Sequence, residues 1–186
     1  TLKTRDVFDW ANWDSYHTSG AFANNNAMNI VSNLIVFQKG NAGIIEPDLA
    51  DRWEFSDNGL TLTFFLRNDV QWHDGTPVVA DQIVWNLNRA WKGSAPIVFS
   101  KNRFTTVTDI SAPDSRTVKV SFSRPTVSFV PYLAGPFMLM YAPHGIDPGT
   151  TQFKEAGIGS GPFMVKAYAP NIKYTWVRNP NYYKSD

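Results

Sequence analysis

The fold is decided first by residues 70–93, which read VQWHDGTPVVADQIVWNLNRAWKG. Thr76 and Pro77 predict the start of a helix, because proline suits the first helical turn. Four apolar side chains then follow at positions i, i+4, i+7 and i+8, so they share one face of that helix. They are Ile83, Leu87, Ala90 and Trp91. Gly93 predicts the end of the helix, and Trp85 points away from the apolar stripe.

Alternating side chains before and after this helix predict strands. In residues 60–66 Phe64 and three leucines alternate with other side chains, which is typical of a half-buried strand. The turn signal at 57–59 predicts a hairpin with residues 53–55. The other predicted elements are a hairpin of 105–111 with 117–123, a short helix over 126–133, a doubly buried strand over 137–141, and a hairpin of 163–168 with 172–177. Strands and helices do not alternate regularly, so the sequence predicts a mixed α+β or mixed α/β fold rather than a Rossmann or barrel fold.

Two further segments are rich in apolar residues or glycine. Apolar side chains at 30, 31, 34 and 35 follow helical spacing and predict a helix from Ala27, ended by the glycines at 40 and 43. Residues 157–161 contain three glycines but lack the pattern of a dinucleotide loop, because proline stands at 162 and a strand pattern follows. We interpret this segment as a crossover where two backbones approach closely.

Composition excludes several function classes. The 186 residues have a net charge of +1, which gives no electrostatic footprint for nucleic acid. The chain has no cysteine, so a disulfide framework, a cysteine-ligated zinc and a thiol nucleophile are excluded. Prolines and glycines interrupt the uncharged stretch 125–146, so it does not predict a membrane span.

Side chains that could do chemistry are scattered. The three histidines, His17, His73 and His144, have no metal-ligand spacing, so we predict no metal site and no cofactor. His73 and Asp74 are adjacent but are expected to point apart, which argues against a catalytic pair. No set of nucleophile, base and orienting group can be assembled, so the sequence does not predict an enzyme.

One N-terminal segment has the composition of a binding pocket. Residues 10–20 combine three aromatic side chains with small polar groups and a glycine. Small-molecule pockets use such mixtures. The alternative is that Trp10 and Trp13 belong to the core and that the rest is a surface loop.

Seven short motifs together resemble a known family. They are EPDLADRW at 46–53, DNGL at 57–60, FLR at 65–67, VQWHDGTP at 70–77, AD at 80–81, GSGPF at 159–163 and RNPNYY at 178–183. In this order they resemble the family 5 extracellular solute-binding proteins of ABC importers, the peptide, dipeptide and nickel group. The resemblance runs from about Trp13 to the end of the chain, and Ser15 departs from it where the family often has proline.

The resemblance implies the N-terminal lobe of a two-lobed periplasmic-binding-protein fold, with the extra subdomain of the peptide-binding group. It implies a first-lobe segment with a ligand-facing loop over 1–41, the extra subdomain over 42–148, and a return to the first lobe over 149–186. The second lobe would then be missing, and the first-lobe sheet would keep an unpaired edge.

The function implied is the capture of an oligopeptide or similar small solute for import, by an extracytoplasmic receptor that is periplasmic or a cell-surface lipoprotein. The expected partners are that ligand, the ABC permease and the missing second lobe, without nucleic acid. The resemblance directs the segment 18–21 and the region of Ile97 to the ligand. The full set of expected ligand-binding residues is Trp13, Tyr16, His17, Thr18, Ser19, Gly20, Ala21 and Ile97.

Two alternatives stay open at this point. An oligosaccharide receptor of the same fold would use Trp10, Trp13 and Tyr16 to stack on sugar rings. A hydrolase would need an acid and a base from Asp14, His17 or the pair of His73 with Asp74.

Overall fold

The computed structural model describes residue 16 and residues 27–93, 101–145, 158–169 and 173–184. Ten strands and two α-helices lie in these ranges. In chain order they are β1 (Ser32–Asn33), β2 (Ile35–Gln38), β3 (Asn41–Pro47), β4 (Ala50–Phe55), β5 (Thr61–Leu66), α1 (Ala80–Lys92), β6 (Val107–Asp114), β7 (Thr117–Phe122), α2 (Phe129–Leu133), β8 (Leu139–Met140), β9 (Phe163–Ala169) and β10 (Lys173–Arg178). The mixture confirms the predicted fold class.

The largest sheet has four antiparallel strands in the order β4-β5-β7-β6. The inner faces of β5 and β7 are buried, and Phe64 stands opposite Val118 in the register of these two strands. Helix α1 packs over β6 and β7 through its predicted stripe, of which Ile83, Leu87 and Ala90 are buried. We call this unit, β4 to β7 with α1, the hairpin sheet. Both of its predicted hairpins are confirmed.

The predicted start of α1 at Thr76 is wrong by about one turn. Residues 72–76 form a tight turn in which Gly75 has a φ of +86° and the Trp72 amide donates to the Thr76 carbonyl over 2.8 Å. Pro77 then pairs with Gln71 in an isolated bridge. The helix starts where the Gln82 side-chain oxygen accepts the Val79 amide over 3.0 Å.

The predicted helix from Ala27 is also wrong, because most of this segment is extended. Ala27 is helical and residues 28–30 form a turn, and β2 then pairs with β3 across a turn in which Gly40 has a φ of +81°. The apolar residues 30, 31, 34 and 35 are buried all the same. A short apolar run does not distinguish a buried strand from a buried helix. Here the segment is extended because β1 pairs with β8 and β2 pairs with β3.

The remaining strands connect distant parts of the chain. In β1, Ser32 pairs with Met140 and Asn33 pairs with Leu139. The predicted hairpin of β9 with β10 is confirmed, and in the described part of the chain these strands pair only with each other. We call the region where the distant segments meet the junction. It comprises residues 27–35, 48, 139–145, 158–163 and 179–184.

Glycines in the junction confirm the predicted close approach of two backbones. The Gly161 amide donates to the Ile30 carbonyl over 3.1 Å. A Cβ added at Gly159 would overlap that same carbonyl oxygen, and one at Gly161 would lie 2.7 Å from the Ile30 carbonyl carbon. Larger residues therefore do not fit at these two positions without a backbone shift.

Candidate functional site

Tyr16 is the one predicted ligand-binding residue in the described part of the chain. Its ring is 1% exposed and meets the edge of Tyr141, with 6.0 Å between the ring centroids. The other predicted residues, Trp13, His17, Thr18, Ser19, Gly20, Ala21 and Ile97, lie outside the described residues. With its surface covered, the Tyr16 ring offers no free face on which a sugar could stack.

Helix α1 holds Tyr16 through a cation. The Arg89 guanidinium carbon lies 5.0 Å from the centroid of the Tyr16 ring and 4.9 Å from that of Trp85. Trp85 and Arg89 are four residues apart, so they are neighbours on one face of the helix. That face is distinct from the apolar stripe, as the helical spacing of Trp85 predicted.

This contact joins two described residues that lie next to the predicted ligand segments in the sequence. Arg89 lies in the last turn of α1, which ends at Lys92. The chain then leads toward Ile97, while Tyr16 leads directly into residues 17–21. The aromatic and cationic cluster of Tyr16, Trp85, Arg89 and Tyr141 is the candidate site, and we call it the Tyr16 cluster.

A buried amide fixes one side of the Tyr16 cluster, and sequence reasoning missed it. Asn86 is fully buried on α1; its Nδ2 donates to the Tyr141 carbonyl over 2.8 Å, and its Oδ1 accepts the Tyr141 amide over 3.1 Å. Asn86 lies beside Leu87 within the apolar stripe. A polar residue on a buried helix face needs a hydrogen-bonded partner. The position of Asn86 within the apolar stripe was therefore the sequence signal that could have indicated such a contact.

His73 is a structural residue that binds the glycine-rich crossover. Its Nδ1 accepts the Gly159 amide over 3.3 Å, and its Nε2 lies 3.1 Å from the Gly161 carbonyl. This pattern assigns the proton to Nε2 and leaves the ring neutral. Burial lowers the pKa of His73, against the opposing effects of the Gly161 carbonyl and the Asp74 carboxylate.

Asp74 faces other partners, so the predicted absence of a His73–Asp74 pair is confirmed. Its Oδ2 lies 2.6 Å from Nε2 of His144, and its Oδ1 accepts the Thr76 amide. Burial raises the pKa of Asp74, but hydrogen bonds from Thr76 and His144 outweigh that effect and lower it. In the described ranges, no three His, Cys, Asp or Glu side chains are grouped so that they could hold a metal ion.

A buried carboxylate, that of Asp48, ties the end of the described chain to the junction. Asp48 accepts hydrogen bonds from the Asn33 amide over 2.8 Å and the Tyr183 hydroxyl over 2.7 Å. Lys184 places its ammonium 2.6 Å from the same carboxylate. Burial and the neighbouring Asp48 raise the pKa of Tyr183 well above its ordinary value. The contacts of Asp48 are structural, and sequence reasoning did not find them because two of its partners, Tyr183 and Lys184, are more than a hundred residues away.

Comparison with family descriptions gives one match over most of the chain. Residues 45–186 match the bacterial extracellular solute-binding proteins, family 5 Middle. Among the helices of the described residues, none is long and apolar enough to cross a membrane.

Two curated relatives are named for peptides. The chain is 28% identical over 90% of its length to di/tripeptide-binding protein 4 of Pseudomonas aeruginosa. It is 32% identical over 91% of its length to a probable peptide ABC transporter periplasmic-binding protein of Sinorhizobium fredii. The chain spans about a third of these relatives, 35% and 32% of their lengths.

A solved structure confirms the lobe architecture. The binding protein AgaA of A. tumefacien R10, in complex with agropinic acid, superposes with a TM-score of 0.84 at 26% identity. That match covers 94% of this chain and 35% of AgaA. The chain therefore has the fold of part of a periplasmic binding protein.

Proposed function

The chain belongs to the bacterial extracellular solute-binding proteins of family 5, and from that premise we propose that it serves in the capture of an oligopeptide or similar small solute for import. The protein would be the substrate-binding component of an ABC transporter and would work outside the cytoplasm, in the periplasm or as a lipoprotein. It would release its solute unchanged, because its role is binding and not chemistry.

The observation that carries this proposal is that Tyr16 packs against the last turn of α1 through its contact with Arg89. Arg89 contacts its ring, so the segment after Tyr16 and the segment that leads to Ile97 start from the same point. Together these segments would form one wall of a ligand cleft. Tyr16 would act from behind that wall, because its ring is already covered by protein.

A second lobe would complete the cleft and close on the ligand. We propose that residues 1–41 and 149–186 belong to the first lobe and that residues 42–148 form the extra subdomain. Closure of two lobes would present the loaded surface to an ABC permease.

Calorimetric titration of the full-length protein with a panel of dipeptides and tripeptides tests this function. We expect saturable binding of one peptide per protein, with the recovered peptide unchanged in mass. The absence of binding to every member of the panel would contradict the peptide assignment, and cleaved peptide would contradict the non-enzymatic role.

Paired tyrosine variants test whether Tyr16 supports the proposed wall of the ligand cleft. Tyr16→Ala should weaken peptide affinity by about tenfold, because the anchor of the segment is lost. Tyr132→Ala is the matched control, since Tyr132 also packs against aromatic rings and Arg103, but on α2. It should lower stability and leave affinity unchanged. Equal loss of affinity in both variants would contradict the assignment of this wall.

A second ligand class has a specific observation in its favour. Two solved structures with higher TM-scores than the peptide complexes, 0.84 and 0.83, hold agropinic acid and mannopinic acid at 26% identity. These two acids therefore belong in the titration panel. Binding of either acid without binding of any peptide would reassign the solute and keep the receptor function.

A further inference from the structure

Arg89 lies where the two proposed ligand segments start. Its guanidinium carbon is within 5.0 Å of the ring centroids of both Tyr16 and Trp85. A cation at this distance from an aromatic face is attracted by the ring quadrupole, and more strongly where water is excluded. Arg89 is half-buried and the Tyr16 ring is fully buried, so this contact is largely protected from solvent.

The surroundings of Arg89 are fixed independently of it. One turn earlier on α1, Asn86 holds the backbone of Tyr141 through two buried hydrogen bonds. The Tyr141 ring in turn meets the edge of Tyr16. Arg89 therefore joins a rigid helix to a tyrosine whose other neighbour is attached to the same helix.

We propose that Arg89 is a positioning residue for ligand binding. It holds Tyr16, which is followed in the sequence by the proposed ligand segment 17–21, against the last turn of α1, after which the chain continues to Ile97. This inference rests on the proposed function, in which those segments line the cleft. The planar guanidinium suits the role because it stacks on aromatic faces, whereas the ammonium of lysine is a compact and strongly hydrated charge.

Amide hydrogen exchange of the full-length protein tests the positioning without any ligand. In Arg89→Met the exchange of the peptide that contains residues 13–21 should rise about tenfold, because the cation is lost while the apolar stem is kept. Arg89→Lys should restore only part of the protection, because its ammonium keeps the charge but not the planar group that stacks on the rings. Arg52→Met is the control, because the Arg52 guanidinium carbon lies 3.4 Å from the Phe65 ring centroid, on the hairpin sheet. It should leave exchange in 13–21 unchanged.

Titration of the same variants with L-alanyl-L-alanine and tri-L-alanine tests the consequence for binding. Arg89→Met should weaken affinity by about tenfold, and Arg52→Met should not, even where their melting temperatures fall equally. Unchanged exchange in Arg89→Met, or an equal rise in Arg52→Met, would overturn the positioning role. If exchange rises only in Arg89→Met but the natural protein binds neither peptide, the positioning stands and the peptide assignment fails.

Discussion

The hairpin sheet and the junction are stabilised by different interactions. In the hairpin sheet, two local hairpins, β4-β5 and β6-β7, are joined by the pairing of β5 with β7, and apolar side chains fill the space beneath α1. In the junction, segments more than a hundred residues apart meet through a short strand pairing, single buried polar groups and bare glycine backbone. Apolar packing spreads its free energy over many contacts, whereas a buried hydrogen bond depends on each partner. The junction should therefore be the more sensitive of the two to the loss of one atom.

The largest expected loss of stability comes from truncating a buried aromatic side chain in the hairpin sheet. Phe64→Ala should lower the free energy of unfolding by about 4 kcal/mol, because it empties a fully buried site opposite Val118. Phe65→Ala, on the opposite face of the same strand, is the control and should cost far less. Urea denaturation measures both, and equal losses would show that the two faces do not differ in burial.

Gly159→Ala tests backbone contact in the junction. The added methyl group would overlap the Ile30 carbonyl oxygen, so the variant should lose about 3 kcal/mol of stability or more. Gly43→Ala is the matched control, because a Cβ there meets only the side-chain oxygen of Asn41, at 3.2 Å. Thermal unfolding of both variants provides the comparison. A Gly159→Ala protein as stable as Gly43→Ala would refute the close approach.

Asp48→Asn tests whether one buried carboxylate matters more than an exposed one. It weakens the hydrogen bond from Tyr183 and removes the ion pair with Lys184, so we expect a loss of about 2 kcal/mol. Asp69→Asn disrupts an exposed ion pair with Arg67 and should cost about 0.5 kcal/mol. Chemical denaturation at neutral pH separates the two. Equal costs would contradict the special role of the junction carboxylate.

The smallest effect concerns pH. Burial lowers the pKa of His73 in the folded state, so the unfolded chain takes up a proton first as the pH falls. The stability from this neutral ring is complete above the ordinary histidine pKa and is lost as the pH falls toward the folded pKa. The melting temperature should drop between pH 7.5 and pH 5.5, and His73→Gln should reduce that drop. His144→Gln, in which His73 is intact, should retain it; a drop unaffected by His73→Gln would contradict this origin.

The same contrast explains what could be predicted from the sequence. The hairpins were predictable because a strand period of two and its turn residues lie within a few positions of each other, as in residues 57–66. The segment 27–38 was not, because its apolar run fits a helix or a buried strand, and β1 acquires its strand partner only at residues 139–140. Local spacing carries no information on a partner so distant.

In the candidate site, too, local features could be predicted from the sequence and tertiary contacts could not. Tyr16 was predicted from the aromatic composition of its segment, but its contact with Arg89 was not, because that contact depends on tertiary structure. Asn86, His73 and Asp48 were missed as site or junction residues, because tertiary structure sets their partners: backbone groups for Asn86 and His73, and chiefly the Tyr183 hydroxyl and the Lys184 ammonium for Asp48. Their roles follow from where the fold places those groups.

The pairing of Asn33 with Leu139 brings together the two ends of the long segment 34–138. Antiparallel partners lie about 5 Å apart, so the chain leaves and re-enters the junction at almost the same point. Everything between these two residues, including the hairpin sheet and α1, is an insertion with adjacent ends. Such insertions tolerate replacement and circular permutation. A short linker from residue 33 to residue 139 would reconnect the chain, but the junction would then lose the contacts that Asp48 makes with Tyr183 and Lys184.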